Sequence, residues 1–99
     1  MVDVLITAAA RRDLRDAWFW GVETWGIGQA DRYSAKLEAG LLRLSDHPCL
    51  GPKSDIAPGL RRLIVEHHVA YYRVEPAAVL VLRVLHGAMD APSHLPDDA

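Results

Sequence analysis

Val79-Leu80-Val81-Leu82-Arg83-Val84-Leu85-His86 is the stretch on which the reading of the fold turns. Its apolar, β-branched opening has the character of a strand buried on both faces. Arg83 and His86 break that character, and Asp90 follows just beyond Gly87-Ala88-Met89. A buried strand that admits an arginine and ends on a histidine needs partners for both. Glu66, Glu75 and Asp90 are the acids expected to pair with Arg83.

Working back from this strand, residues 60–66 and 69–74 supply two more strands, joined through His67-His68. Pro76 sits in the connection 75–78, which is short enough for an antiparallel hairpin. The loop 49–59 is rich in proline, glycine and small polar residues, and its eleven positions approach the upper limit for an ordinary connection. Upstream, residues 29–45 carry Ala30, Tyr33, Leu37, Leu41 and Leu44 at three- and four-residue steps, a helical stripe that Pro48 ends. Ala8–Trp25 form a first helix capped by Thr7, with Leu14, Ala17, Trp18, Val22 and Trp25 as its expected inward stripe. Gly26 and Gly28 stop it, and so short a joint folds the two helices back on each other. Residues 2–6 are a first strand. The fold class is therefore α+β, with an N-terminal strand, a two-helix antiparallel hairpin and a three-stranded antiparallel meander. The helices pack on one sheet face. One domain spans 1–99, with a tail over about 91–99.

Composition narrows the function. The 99 residues carry a net charge of −2, against the basic excess typical of proteins that grip phosphate backbones. Nine of the eleven cationic side chains are arginine, which favours planar, bidentate contacts. No run approaches the roughly 20 apolar residues of a membrane span, and residues 1–10 have no leader-like pattern. The single cysteine, Cys49, forms no internal disulfide and suits a reducing cytoplasm. The five histidines lack metal-ligand spacing; His67 and His68, adjacent on a strand, should point to opposite faces and share no ion. No serine sits in a nucleophile elbow, and Gly51-Pro52-Lys53-Ser54 only superficially echoes a phosphate loop. No metal, cofactor or catalytic residue is expected.

Two groups suit a partner. Lys53, Arg61, Arg62, Arg73 and Arg83 fall on the sheet or the loop leading into it. They could pair with acids, meet a partner, or join His86 in proton transfer on an RNA backbone. Trp18, Phe19 and Trp20 are consecutive, so at about 100° per residue they cannot all face inward. Trp18 belongs to the core stripe, which leaves Phe19 or Trp20 as a surface anchor. Gly21 in mid-helix lets the second helix come close.

The punctuation of the chain resembles the ParE branch of the ParE/RelE toxin superfamily. The matching words are Ala9 through Asp13-Leu14, Trp25-Gly26, and Gln29-Ala30 with Tyr33 and Leu37. They continue through His47-Pro48, Gly51, Gly59-Leu60-Arg61, and His68 with Tyr71-Tyr72-Arg73-Val74. The last are Arg83-Val84-Leu85-His86, Met89-Asp90 and His94-Leu95. The resemblance implies the toxin of a bacterial type II toxin–antitoxin pair, cytoplasmic and bound in a hetero-oligomer by a ParD-type antitoxin. Its implied target is DNA gyrase, inhibited by binding and not by catalysis, with no sequence-specific nucleic-acid binding by the toxin alone. The RelE branch instead cleaves messenger RNA on the ribosome, often with a late tyrosine. No tyrosine follows Tyr72 here, although Arg61, Arg83 and His86 keep that alternative open. A third reading is a repurposed toxin fold that only binds its antitoxin. The expected contact comprises Phe19, Trp20, Arg61, Arg73, Arg83, His86, Met89 and Asp90, with the antitoxin folding into a groove beside the helical hairpin and the sheet face opposite the helices left open.

Overall fold

The structure, a computed structural model, describes residues 1–87, 89 and 91–95. The order is β1 (Asp3–Ile6), α1 (Ala8–Trp25), α2 (Ile27–Leu42), β2 (Leu60–Val65), β3 (His68–Val74) and β4 (Ala78–His86). Short 3-10 turns follow α2 at Arg43–Ser45 and β4 at Ala91–Ser93. The sheet order is β1-β4-β3-β2. The meander is antiparallel, while β1 adds to its far edge parallel to β4. β4 thereby becomes a central strand, which accounts for its apolar run.

The helical hairpin turns on a single residue. Gly26 at φ +92° separates α1 from α2, and Gly28 lies inside α2 instead of in the joint. Thr7 caps α1 as its sequence position predicts, its side chain accepting from the Ala10 N–H at 3.1 Å. The α2 stripe is as the spacing predicts: Ala30, Tyr33, Leu37, Leu41 and Leu44 are all buried.

The α1 stripe is so only in part: Ala17 is buried and Leu14 packs against the core. Its buried residues are Ala10, Asp13, Ala17 and Gly21, so the inward face is rotated from the expected one. Trp18 is only half-buried and donates its indole N–H to Asp31, and Trp25 is exposed. Close approach is the physical reason. A β-carbon built on Gly21 would lie 3.2 Å from Ala30 of α2, so the seam between the helices takes small residues and pushes the rings to its flanks.

A β-bulge decides which face each β4 side chain meets. Tyr71 pairs with Arg83, but Tyr72 pairs with Val81, leaving Leu82 as an extra residue. Val79 and Val81 face the helices before the bulge, and Val84 after it. Leu82 and Leu85 join the opposite cluster with Leu60, Tyr71, Ala91 and Leu95. The face opposite the helices is therefore partly covered, not open as expected. Part of the expected tail belongs to that cover, because Ala91 and Leu95 are buried.

Asp90 lies outside the described residues, and among them Arg83 pairs with neither Glu66 nor Glu75. Its partner is Asp13 of α1, a buried carboxylate 70 residues away, through Nε–Oδ2 at 2.7 Å and Nη2–Oδ1 at 2.9 Å. Asp13 also accepts the Val84 backbone N–H at 2.9 Å, and Arg83 Nη1 donates to the His94 carbonyl at 2.6 Å. Asp13→Asn should destabilise the fold by about 3 kcal/mol, because it presents an amide donor to the guanidinium. Denaturant midpoints at constant m check this; a loss below about 1 kcal/mol would mean that the pair is not structural.

Residues 66 and 67 form the β2–β3 turn, and Glu66 is held at φ 55°. Left-handed backbone costs an L-residue about 1 kcal/mol or more. Glu66→Gly should therefore leave stability unchanged or raise it by up to about 1 kcal/mol, read as a thermal midpoint that does not fall.

Candidate functional site

The β4 bulge brings His86 to the helix side, where it meets Trp20. Their ring centroids lie 4.8 Å apart, edge to face. Trp20 also packs edge-on against His68 at 5.5 Å, Tyr33 at 5.6 Å and Trp25 at 4.9 Å. The indole is thus the hub of an aromatic and histidine cluster drawn from α1, α2 and the end of the sheet where His68 of β3 pairs with His86 of β4. His67 and His68 do not diverge as two strand residues would. His67 lies in the turn, and both imidazoles approach Trp20 and Tyr33.

Hydrogen bonding and burial act together at the centre of this cluster. The His67 backbone N–H can only donate, so the Tyr33 oxygen accepts it at 3.0 Å. The Tyr33 oxygen also lies 2.6 Å from His68 Nδ1, and in the tautomer with Nδ1 unprotonated the hydroxyl donates to it. Burial holds the Tyr33 phenol above its ordinary value, partly offset by the His67 N–H and reinforced by Glu66. Burial is also the main cause that lowers His68 from 6.5 to about 4, with His86 and His67 adding repulsion and Asp13 opposing it. At neutral pH His68 is an uncharged acceptor.

A cavity of about 220 Å³ opens beside this cluster. Trp20, Val84 and Met89 supply apolar wall, while His68, His86, Asp13 and Asp16 supply polar groups. Trp20, His86 and Met89, three of the expected contact residues, therefore meet at one place. Arg83 stands behind it through Asp13, whose hydrogen bonds keep the guanidinium pKa above its ordinary value.

The other expected residues lie elsewhere. Phe19 is 53% exposed and packs edge-on against Trp18. Arg61 donates to the Gly51 carbonyl at 2.8 Å. Arg73 lies 3.7 Å from Glu75. It is five residues along β3 from His68, roughly 17 Å at the rise of a strand. Asp90 lies outside the described residues. Asp13, Asp16, Tyr33 and His68 were not expected at the site. Asp13 lies off the expected α1 stripe and His68 in the expected joint between two strands, so nothing local showed that both would be buried or would meet. Among the described residues no group of three acidic, histidine or cysteine side chains is placed to hold a metal ion.

His68 makes the fold sensitive to acid. Below about pH 6.5 the unfolded chain takes up a proton that native His68 resists until about 4. Its contribution to stability is intact above that window and is lost as pH falls through it, with a slope of up to about 1.4 kcal/mol per pH unit. Urea midpoints measured between those pH values should show the slope in the parent chain and a flatter profile in His68→Gln; parallel profiles would refute the assignment.

Comparison with known proteins agrees with this architecture. Residues 4–91 match the family model described as ParE toxin of type II toxin-antitoxin system, parDE. Toxin ParE1 of Caulobacter vibrioides is 36% identical over 91 residues, covering 91% of this chain and 94% of its own. Toxin ParE of Escherichia coli is 38% identical over 103 residues, covering 98% and 96%. A chain from the structure of a chromosomal ParDE TA system from P. aeruginosa superposes with a TM-score of 0.78. It is 23% identical and covers 87% of this chain and 96% of its own, which is a likeness of fold. With the family model spanning most of the sequence and relatives above 30% identity along nearly its full length, the chain belongs to the ParE toxin family of type II toxin–antitoxin systems.

Proposed function

We propose that this chain inhibits DNA gyrase by binding it, without catalysis, and that a ParD-type antitoxin neutralises it in the cytoplasm by seating over the Trp20 cavity. One observation carries the reading: two of the polar groups at that cavity, Asp13 and His68, are engaged within the fold. Asp13 is held by Arg83 and the Val84 N–H, and His68 Nδ1 faces the Tyr33 hydroxyl. Arg61, a further cation that could serve ribonuclease chemistry, is engaged with Gly51. A general base must be within reach of the proton it takes, and a committed acceptor is poorly placed for that. An apolar wall of Trp20, Val84 and Met89 with carboxylates at its side is better suited to receive an anchoring side chain from a protein partner.

An antitoxin segment that is disordered alone would bury its apolar residues here and order on contact. Asp16 is exposed at the cavity, which favours a basic residue in the incoming segment. Purified toxin should inhibit supercoiling by gyrase and leave ribosome-bound messenger RNA intact; cleavage without inhibition would refute the reading. Met89→Ala and Asp16→Lys lie at exposed positions and should each weaken antitoxin binding, by about tenfold or more for a residue at the centre of the contact. Arg73→Ala serves as the distant control. Equal binding by all three variants would place the antitoxin elsewhere.

A further inference from the structure

A second hollow, of about 300 Å³, shares the Tyr33–His68 pair with the first as a dividing wall: Tyr33 lines the second, His68 the first. Gln29, Arg32, Tyr33 and Lys36 fall at helical steps along one face of α2 and form its floor. Trp25, from the end of α1, and the Glu66-His67 turn form its sides. The membership of this site was invisible in sequence, since its parts lie on three separate elements.

Three features of this hollow suit a ligand. Arg32 and Lys36 are like charges one helical turn apart, a mildly repulsive arrangement, and neither makes an ion pair among the described residues. Together with Glu66 they give the hollow a local excess of one positive charge on a chain whose net charge is −2. Second, Trp25 and His67, tilted by 38° with centroids 6.0 Å apart, bring flat aromatic surface to the hollow. Third, Glu66 occupies the left-handed backbone position where glycine or asparagine would be unstrained, and the turn is pinned there. Tyr33 takes the His67 N–H, and the Gly87 N–H donates to the His67 carbonyl at 2.9 Å. A strained, non-glycine residue held at the side of a hollow is a mark of a functional position.

We propose that this hollow binds a guanine nucleotide. The cations receive the phosphate, the aromatic surface stacks the base, and the Glu66 carboxylate reads the base edge. A carboxylate only accepts, through two adjacent oxygens. Guanine offers it two adjacent donors, the ring N1–H and the exocyclic amine. Adenine and cytosine place a ring acceptor beside their amine, and uracil sets its N–H between two carbonyls, so each sets an acceptor against one carboxylate oxygen. An acidic peptide would satisfy Arg32 and Lys36, but it would bring further negative charge against Glu66 and leave the ring faces unused. Base stacking on aromatic side chains and phosphate contact by Arg or Lys are the general means by which proteins hold single nucleotides.

The test is a titration of the full chain with 5′-GMP, followed by tryptophan emission and calorimetry. AMP, CMP, guanosine, inorganic phosphate and a glutamate-rich peptide serve as comparison ligands. Saturable GMP binding is expected, about tenfold tighter than AMP, CMP or guanosine. Glu66→Gln should erase the preference for GMP over AMP, and Glu66→Gly should do the same without loss of stability. Arg32→Ala/Lys36→Ala should erase the advantage of GMP over guanosine, and Trp25→Ala should weaken binding by about tenfold. The substituted positions are exposed, so each variant is expected to fold. Absence of saturable binding at millimolar GMP would overturn the proposal. So would binding of phosphate alone as tight as GMP, or the peptide binding where nucleotides do not.

Discussion

The strand end, the first helix and the C-terminal turn of this toxin are joined by one carboxylate. Asp13 takes two donors from Arg83 and one from the backbone of Val84, and Arg83 passes a third donor to the His94 carbonyl. Such a pair is costly to desolvate, and it is favourable only when each charge finds several partners. Here it does. The chain obtains from it a fixed distance between α1 and β4, and everything that lines the Trp20 cavity depends on that distance.

The bulge at Leu82 has the complementary effect along the sheet. In an unbroken strand, the alternation that turns Val79 and Val81 toward the helices would also turn Arg83 and Leu85 there. One extra residue reverses the parity, so that Val84 and His86 face the helices and Leu85 faces the second cluster. The Leu82 carbonyl is taken by the Thr7 hydroxyl at 2.8 Å, so the residue that caps α1 also anchors the bulge. Bulges are known devices for re-aiming a side chain near a site. Without this one, His86 could not join His68 and Trp20.

Much of this was legible in the sequence, and the misses share a cause. The helices, the meander and the α2 stripe follow from periodicity, capping residues and turn chemistry, which are local properties. On α1, bulk is a poor sign of burial, although Ala17 and Leu14 do face the core. Close packing at Gly21 and Ala30 places alanine, glycine and a carboxylate inside and leaves Trp18 and Trp25 at the flanks. The partner of Arg83 was misplaced because acids near it in sequence were preferred to one 70 residues away. His67 and His68 were separated by strand alternation that the turn at 66–67 does not obey. Pairings across the fold are set by packing that no single segment encodes, and the site is made almost wholly of such pairings.

The same packing makes one wall serve two hollows. Tyr33 lines the hollow over α2, His68 lines the cavity beside α1, and their short hydrogen bond joins them. Trp20 and Trp25 touch across the same boundary. A side chain entering the Trp20 cavity meets the imidazole whose Nδ1 faces the Tyr33 hydroxyl, and Tyr33 in turn holds the strained turn by its His67 N–H. Displacing His68 therefore removes the partner that orients Tyr33, and relaxing the turn removes the donor that Tyr33 accepts. Because the elements that carry these groups are rigid and the interior is close-packed, neither hollow can be reshaped without the bond between them responding. The two hollows meet at the Tyr33–His68 hydrogen bond, to which each contributes one of the two groups.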